Sequence, residues 1–447
     1  LDVGPNQARE LAQVPQSSCP FLYAWNGERF AIVTDCNWRS PLGMLFARGA
    51  PIPHHLTRDF VRVPGAALKE NEGILSLAVV EELRELNYLD QAALMVVDHP
   101  PGPEVYVDER MVLGTPTPLT VYPVRRKRLP VAARDGQGND VLPVLQARDG
   151  VHTEPLPPAR KGLHGLRPAH DMILDLGKVP DPKNIRLFLQ GYVFPDGTSD
   201  NIAVSQDRGF AMQPSTLSVP DGRGGWKVAI PDAGMPAGRH KTIVLDLSGK
   251  FPARDYRVKF TTCFELRWDA AFYTSGEQPV PLRQRVLSPS RASLRYRGYS
   301  TRYRDGRNGP VLYDYQRLAA DPGWPAIPGA YTRFGDVTPL LQRADDQYII
   351  SGPGEEIRIE FDARRIPPLA GWQRDYVFIT DGWTKDTDPN TVTGQQVGPL
   401  PFHGMKKYPY GPEERFPSTP AHRRWQATYN TRRIHFAPRL LASQESR

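Results

Sequence analysis

The stretch Thr380–Thr391, TDGWTKDTDPNT, sets Asp381, Asp386, Asp388 and Asn390 around Trp383. Clustered carboxylate and amide oxygens in a short loop are what a calcium ion requires. Asp386, Asp388 and Asn390 match the first three ligand positions of an EF-hand loop. Thr391 then stands where that loop needs glycine, and Val397 where it needs a carboxylate, so the EF-hand pattern fails. Two readings stay open. One is a calcium loop of another kind. The other is a turn in which Asp and Asn side chains close on nearby backbone around Pro389 and present an exposed Trp383. The sequence leans towards the turn.

Other residues with chemical potential are scattered. His403 lies in PLPFHGMKKYPYGPEE, close in sequence to Glu413 and Glu414, without an orienting partner in view. His164, His170 and Asp171 in LHGLRPAHD fit no zinc spacing. Glu81, Glu82, Glu85 and Asp90 could pair as acid and base in glycoside hydrolysis, but they read more simply as a solvated turn. Nucleophile-elbow, phosphate-loop, zinc-protease and dinucleotide motifs are all missing, which argues against an enzyme. Cys19 and Cys36 flank an apparent hairpin and pair as a disulfide in an oxidising compartment, or stay as two buried thiols. Cys263 sits in an apolar strand and reads as core. Arg295, Tyr296, Arg297, Tyr299, Arg302 and Tyr303 crowd one segment, and with Trp383 and His403 they form the candidate ligand or partner surface.

The elements that must position these residues are short. In 447 residues there are 46 prolines and 38 glycines, spread between apolar runs, which suits many strands joined by rigid loops and argues against long helices. Phe21–Asp35 reads as a hairpin turning at Asn26-Gly27. Ile74–Pro100 reads as strand, acidic turn, strand, and brief strands are expected near Val105–Val107 and Leu119–Val124. Between Met172 and Trp268 seven β-branched or aromatic runs follow one another without a helix, as in a sandwich or jelly roll. Three more strands are expected at Gln347–Ile350, Glu356–Phe361 and Asp375–Thr380. Short helices are expected at 8–14 and 419–429.

The predicted fold class is therefore all-β, with multidomain antiparallel sandwich or jelly-roll units and few short helices. The expected divisions are a linker at 1–18, a β-rich domain at 19–160, a galactose-binding-like jelly roll at 161–287 and a β- and loop-rich domain at 288–447. A net charge of +7 is dispersed apart from Arg125-Arg126-Lys127-Arg128, which reads as a solvated edge, and no nucleic-acid partner is expected. No run of apolar residues is long enough for a membrane span.

CPFLYAWNGERFAIVTD, EELRELNYLDQAALMVVDHP, KTIVLDLSGKF, YTRFGDVTPLL and RDYVFITDGWTKDTDPNT, leading into PLPFHGMKKYPY, together resemble one family region. It is the β-rich region that follows FG-GAP blades or tetratricopeptide repeats in bacterial ASPIC/UnbV, cartilage-acidic-protein-like proteins. The likeness runs from about Cys19 to Arg432, without the propeller calcium repeats themselves. It implies an exported protein, periplasmic, on the cell surface or extracellular, that binds or assembles, and it carries no catalytic residues. The expected function is thus a non-catalytic binding or scaffold protein, a subunit of a larger surface or envelope assembly, with a protein or glycan as partner. The competing expectation is a carbohydrate-active enzyme or a carbohydrate-binding accessory module. Calcium is the one cofactor the loop suggests.

Overall fold

The computed structural model describes residues 20–435, apart from 53–56, 114–117, 159–162, 208, 211, 321–323 and 325. The expected linker at 1–18, the helix at 8–14 and Cys19 lie outside the described residues. Among the described residues strands dominate, with two α-helices, Thr198–Ser205 and Pro420–Thr428. The chain is all-β, as its alternating β-branched and aromatic runs dictate.

Two long strands organise the larger unit. Glu85–His99 pairs antiparallel with Gln373–Asp386 over nearly the full length of both. Arg58–Val63 extends this sheet on one side, and Arg283–Leu287 and Ile349–Ser351 on the other. A second sheet runs Phe30–Asp35, Phe21–Trp25, Ile74–Val80, Glu355–Asp362, Arg291–Tyr296 and Gly335–Asp336. Leu77, Val79, Ile357 and Ile359 from this sheet share a core with Leu94, Val96 and Phe378 from the first. The hairpin at 21–35 and the strand–turn–strand at 74–100 form as expected. The acidic turn does not lie in solvent. Glu81, Glu82, Glu85 and Asp90 are all buried, and Glu82 accepts hydrogen bonds from Tyr23 and Ser300.

The smaller unit is a second sandwich. One sheet holds Ala132–Asp135, Leu166–Asp175, Arg257–Phe264, Thr216–Pro220 and Trp226–Ile230. The other holds Lys241–Asp246, Ile185–Val193 and Leu266–Ser275. Leu174, Leu187, Leu217, Ile243, Val258 and Cys263 fill the space between them. The helix Thr198–Ser205 is a correction, because this stretch was expected to be helix-free. Asp200, at its third position, places a carboxylate where a helix N-terminus favours one.

The expected divisions need a second correction. Strands up to His99 and strands from Arg283 onward are direct neighbours in both sheets of the larger unit. The larger sandwich is therefore built from strands up to His99 and from Arg283 onward, and the smaller sandwich, which takes Ala132–Asp135 from the expected first domain, is inserted between them.

The seam between the units follows from strand alternation. In Glu104–Val107, Val105 and Val107 join Phe60, Val97 and Ile379 of the larger unit, while Tyr106 joins Phe188, Val244 and Phe272 of the smaller. Buried charges reinforce the seam. Arg239 Nη1 meets Asp35 Oδ2 at 3.0 Å, and Lys241 Nζ lies 3.5 Å from Asp35 Oδ1 and donates to the Asp35 carbonyl at 2.6 Å. Glu109 accepts from the backbone of Arg62 and of Thr242, one on each unit, at 2.9 Å each. Replacing Asp35 by alanine leaves two buried cations uncompensated. Asp35→Ala is expected to cost about 3–5 kcal/mol in urea unfolding. A loss below about 1 kcal/mol, the size of a surface pair, would show that this seam does not hold the units together.

Candidate functional site

The loop after Gln373–Asp386 turns on its own side chains and then reaches the inserted sandwich. Asp386 accepts from the Thr391 hydroxyl and from the Asp388 backbone. Asp388 Oδ2 accepts from the Ser199 backbone at 3.0 Å, and its Oδ1 accepts from the Ser199 hydroxyl at 2.6 Å and the Asn390 backbone at 2.8 Å. Asn390 donates to Ser199 Oγ at 2.9 Å, and the Thr391 and Thr198 hydroxyls lie 2.6 Å apart. Asp388 thus caps the Thr198–Ser205 helix from another part of the chain, satisfying an orphan amide and the positive end of the dipole. A Cβ at position 197 would lie 2.8 Å from Asp388 Oδ2, so glycine there permits the approach.

The four residues expected to hold calcium do not converge. Asp381 turns away to His403, while Asp386, Asp388 and Asn390 serve the turn and the helix. Trp383, expected to be exposed, is fully buried, with Tyr348 at 5.7 Å and His403 at 4.7 Å between ring centroids. Strand alternation then turns Lys385 inward too. Its Nζ donates to the carbonyls of Val397 and Gly398 and to Tyr408 Oη, and burial lowers its pKa to about 7.

Beside the clasp lies a pocket of about 50 Å³. Its walls include Trp38, Met44, Met111, Met235 and Phe264, and its polar lining includes Asp196, Asp386 and Asn201. Burial raises the Asp196 pKa to about 7, with the neighbouring charges of Asp200 and Asp386 adding to it. Burial, with Asp388 alongside, raises that of Asp386 to about 6.

A second constellation forms around His403. Opposite Asp381 and Gly382 the long strand carries one extra residue: Asp381 pairs with Gln91, Gly382 pairs with Leu89, and Asp90 is left over. Such a bulge re-aims a side chain. A Cβ at Gly382 would meet the Tyr88 carbonyl at 2.2 Å. Asp90 Oδ2 comes to 3.7 Å from His403 Nδ1. Asp346 Oδ1 accepts from His403 Nδ1 at 2.7 Å, and Asp381 Oδ1 lies 2.9 Å from Nε2. Burial acts to lower the His403 pKa, but the hydrogen bonds to Asp346 and Asp381 outweigh it and raise it to about 10. Both ring nitrogens are therefore committed, and the ring is no free base at neutral pH. Asp346 was missed in the sequence. Its only signal is the Asp345-Asp346 pair before a strand, far in sequence from the other three.

The arginine- and tyrosine-rich segment divides in two. Arg297 and Tyr299 are interior. Arg297 stacks 4.0 Å above the Tyr315 ring and pairs with Glu356 and Glu82, and Tyr299 donates to the Trp324 carbonyl. Tyr296 and Tyr303 are exposed, with Arg302 exposed beside them, and the half-exposed Arg295 is held by Glu356 at 3.0 Å. His170, Asp171 and His164 form no metal group: His170 meets the Pro168 carbonyl, Asp171 pairs with Thr261 and Lys259, and His164 lies against Phe194. Cys36 is a buried free thiol.

Two outcomes test the clasp. Asp388→Ala removes the cap and is expected to cost about 1–2 kcal/mol in thermal unfolding, as cap deletions do. Asp196 and Asp386 have folded-state pKa values above the ordinary 3.8, so the folded protein holds their protons more tightly than the unfolded chain. Their contribution is fully present below about pH 4 and is lost as pH rises through about 6 and about 7. The double variant Asp196→Asn, Asp386→Asn should gain melting temperature relative to the parent between pH 5 and pH 8. A difference that stays flat across that range contradicts the burial of these acids.

No protein-family model matches the chain, and no curated protein matches it. Among solved structures, the crystal structure of the infectious bursal disease virus VP2 subviral particle aligns with 85% of this chain and 86% of its own. That alignment has 8% identity and a TM-score of 0.13, too weak a likeness to carry any argument.

Proposed function

We propose that this chain is a non-catalytic, exported binding or scaffold protein, a subunit of a larger surface or envelope assembly that meets its partner protein through the 291–318 face. The carrying observation is an exposed aromatic surface on a stiff foundation. Tyr296 is 55% exposed, Tyr303 42% and Leu318 57%, on three successive strands. Beneath them Arg295, Arg297, Arg358 and Tyr315 converge on the buried Glu356. Tyrosine and arginine on a preorganised surface lose little conformational freedom on binding, which is why they dominate interface hot spots. His403 and Glu82, two of the groups marked for acid–base work, are already paired internally, which supports binding over catalysis. The resemblance to ASPIC/UnbV-type regions supports export.

A glycan-binding reading is favoured by one feature of the inserted sandwich. A cleft of about 240 Å³ there is lined by Trp268, Arg167, His170, Asp171, Glu265 and Arg307. Glu265 is held by Arg167 and Arg267, and Asp171 by Thr261 and Lys259, so this cleft supports recognition more than hydrolysis.

Placing a photo-cross-linking phenylalanine analogue at Tyr296 or Tyr303 in the source cells separates the readings. Discrete protein adducts are expected at both positions and not at Val228, an exposed residue of the other sandwich. An absence of adducts, combined with retention on a glycan array that Trp268→Ala abolishes, would transfer the function to the cleft.

A further inference from the structure

We propose that Asp90, Asp346 and His403 form a binding site for one divalent transition-metal ion of the Zn²⁺ type, with Asp381 orienting the histidine. One ligand atom from each of the three residues lies within 4.8 Å of the others. A tetrahedral metal with ligands at about 2.0–2.1 Å sets its donor atoms about 3.3 Å apart. The distances from His403 Nδ1 to Asp346 Oδ1, 2.7 Å, and to Asp90 Oδ2, 3.7 Å, bracket that value. Each of these oxygens also accepts from a backbone amide, Asp90 Oδ2 from Asp346 at 2.8 Å and Asp346 Oδ1 from His403 at 2.9 Å, which fixes the two carboxylates beside the ring.

The second observation is Asp90 itself. Its side chain is fully buried on the long strand, and Oδ1 has no hydrogen-bond partner. An unsatisfied buried carboxylate oxygen carries a substantial desolvation cost, which a bound cation removes. The strand bulge that turns Asp90 out of the ladder also requires glycine at 382, so the backbone is adapted to present this carboxylate.

Asp381 supplies the outer shell. It accepts from His403 Nε2 at 2.9 Å, which leaves Nδ1 facing Asp90 and Asp346. A carboxylate holding the far nitrogen of a ligating histidine fixes its tautomer and raises its basicity. Two carboxylates and one imidazole suit Zn²⁺ better than Ca²⁺, which takes oxygen donors. Three protein ligands leave one position open on the partly exposed side of His403.

The test uses the full chain, stripped of metal by chelator and titrated with Co²⁺ and then Zn²⁺. The expected result is one equivalent bound, visible Co²⁺ absorption bands that Zn²⁺ abolishes, and a higher melting temperature with either ion. Asp90→Asn and His403→Gln should abolish the bands, and Asp381→Asn should weaken affinity about 10–100-fold. The wild-type titration stands even where a variant folds poorly. An absence of stoichiometric uptake by the wild type at pH 7.5 overturns the proposal, as does uptake that Asp90→Asn and His403→Gln leave intact.

Discussion

The structure depends on one pairing between distant parts of the chain. Glu85–His99 and Gln373–Asp386 run side by side in the first sheet, and Arg58–Val63, Arg283–Leu287 and Ile349–Ser351 build onto that pair. The chain leaves this sheet after His99 and returns at Arg283 opposite Asp98, so the inserted sandwich starts and finishes at the same end of the long strand. The seam then needs groups that face both ways, and Glu104–Val107 provides them through alternation alone. Buried ions such as Asp35 and Arg239 add geometric specificity, since each is costly unless its partner is in place.

The single irregularity in that pairing is as informative as its length. Residues before and after the bulge keep register, and one residue is turned aside. That residue, Asp90, meets a histidine from the loop beyond the strand and an aspartate from a third segment. The partner strand Gln373–Asp386, which adds Asp381 to this cluster, ends in a loop whose Asp388 reaches the opposite unit. The two paired strands thus share a carboxylate–imidazole cluster, and one of them ends in an inter-unit clasp.

Much of the fold was legible in the sequence. Strand alternation located most elements, because half-buried sheets impose a period of two residues. What alternation could not show was partnership. Nothing local distinguishes a strand at 74–80 that pairs with 355–362 from one that pairs only with its neighbours, so the ends of the chain read as separate domains. Glu81, Glu82 and Glu85 looked solvated because carboxylates usually are, and their burial follows from partners such as Ser300 and Tyr23 that are far away in sequence. Trp383 looked exposed because its neighbours are polar, although Gly382, Trp383, Thr384 and Lys385 are all buried there. Asp381 and His403 were singled out separately, and only the folded chain shows them in contact. The residues that match three EF-hand positions have other partners: Asp386 accepts within the turn, Asp388 accepts from the helix end, and Asn390 donates to Ser199.

The insertion also sets an order in time. A chain made from its N-terminus has produced every described strand of the inner sandwich once Ser275 is complete. Gln373–Asp386, which the outer sandwich needs beside Glu85–His99, does not yet exist at that moment. The middle of the sequence is therefore the first part able to finish. Until the late strand arrives, Glu85–His99 lacks its main neighbour and presents a bare, apolar edge, the kind of surface that chaperones cover and that misassembly exploits.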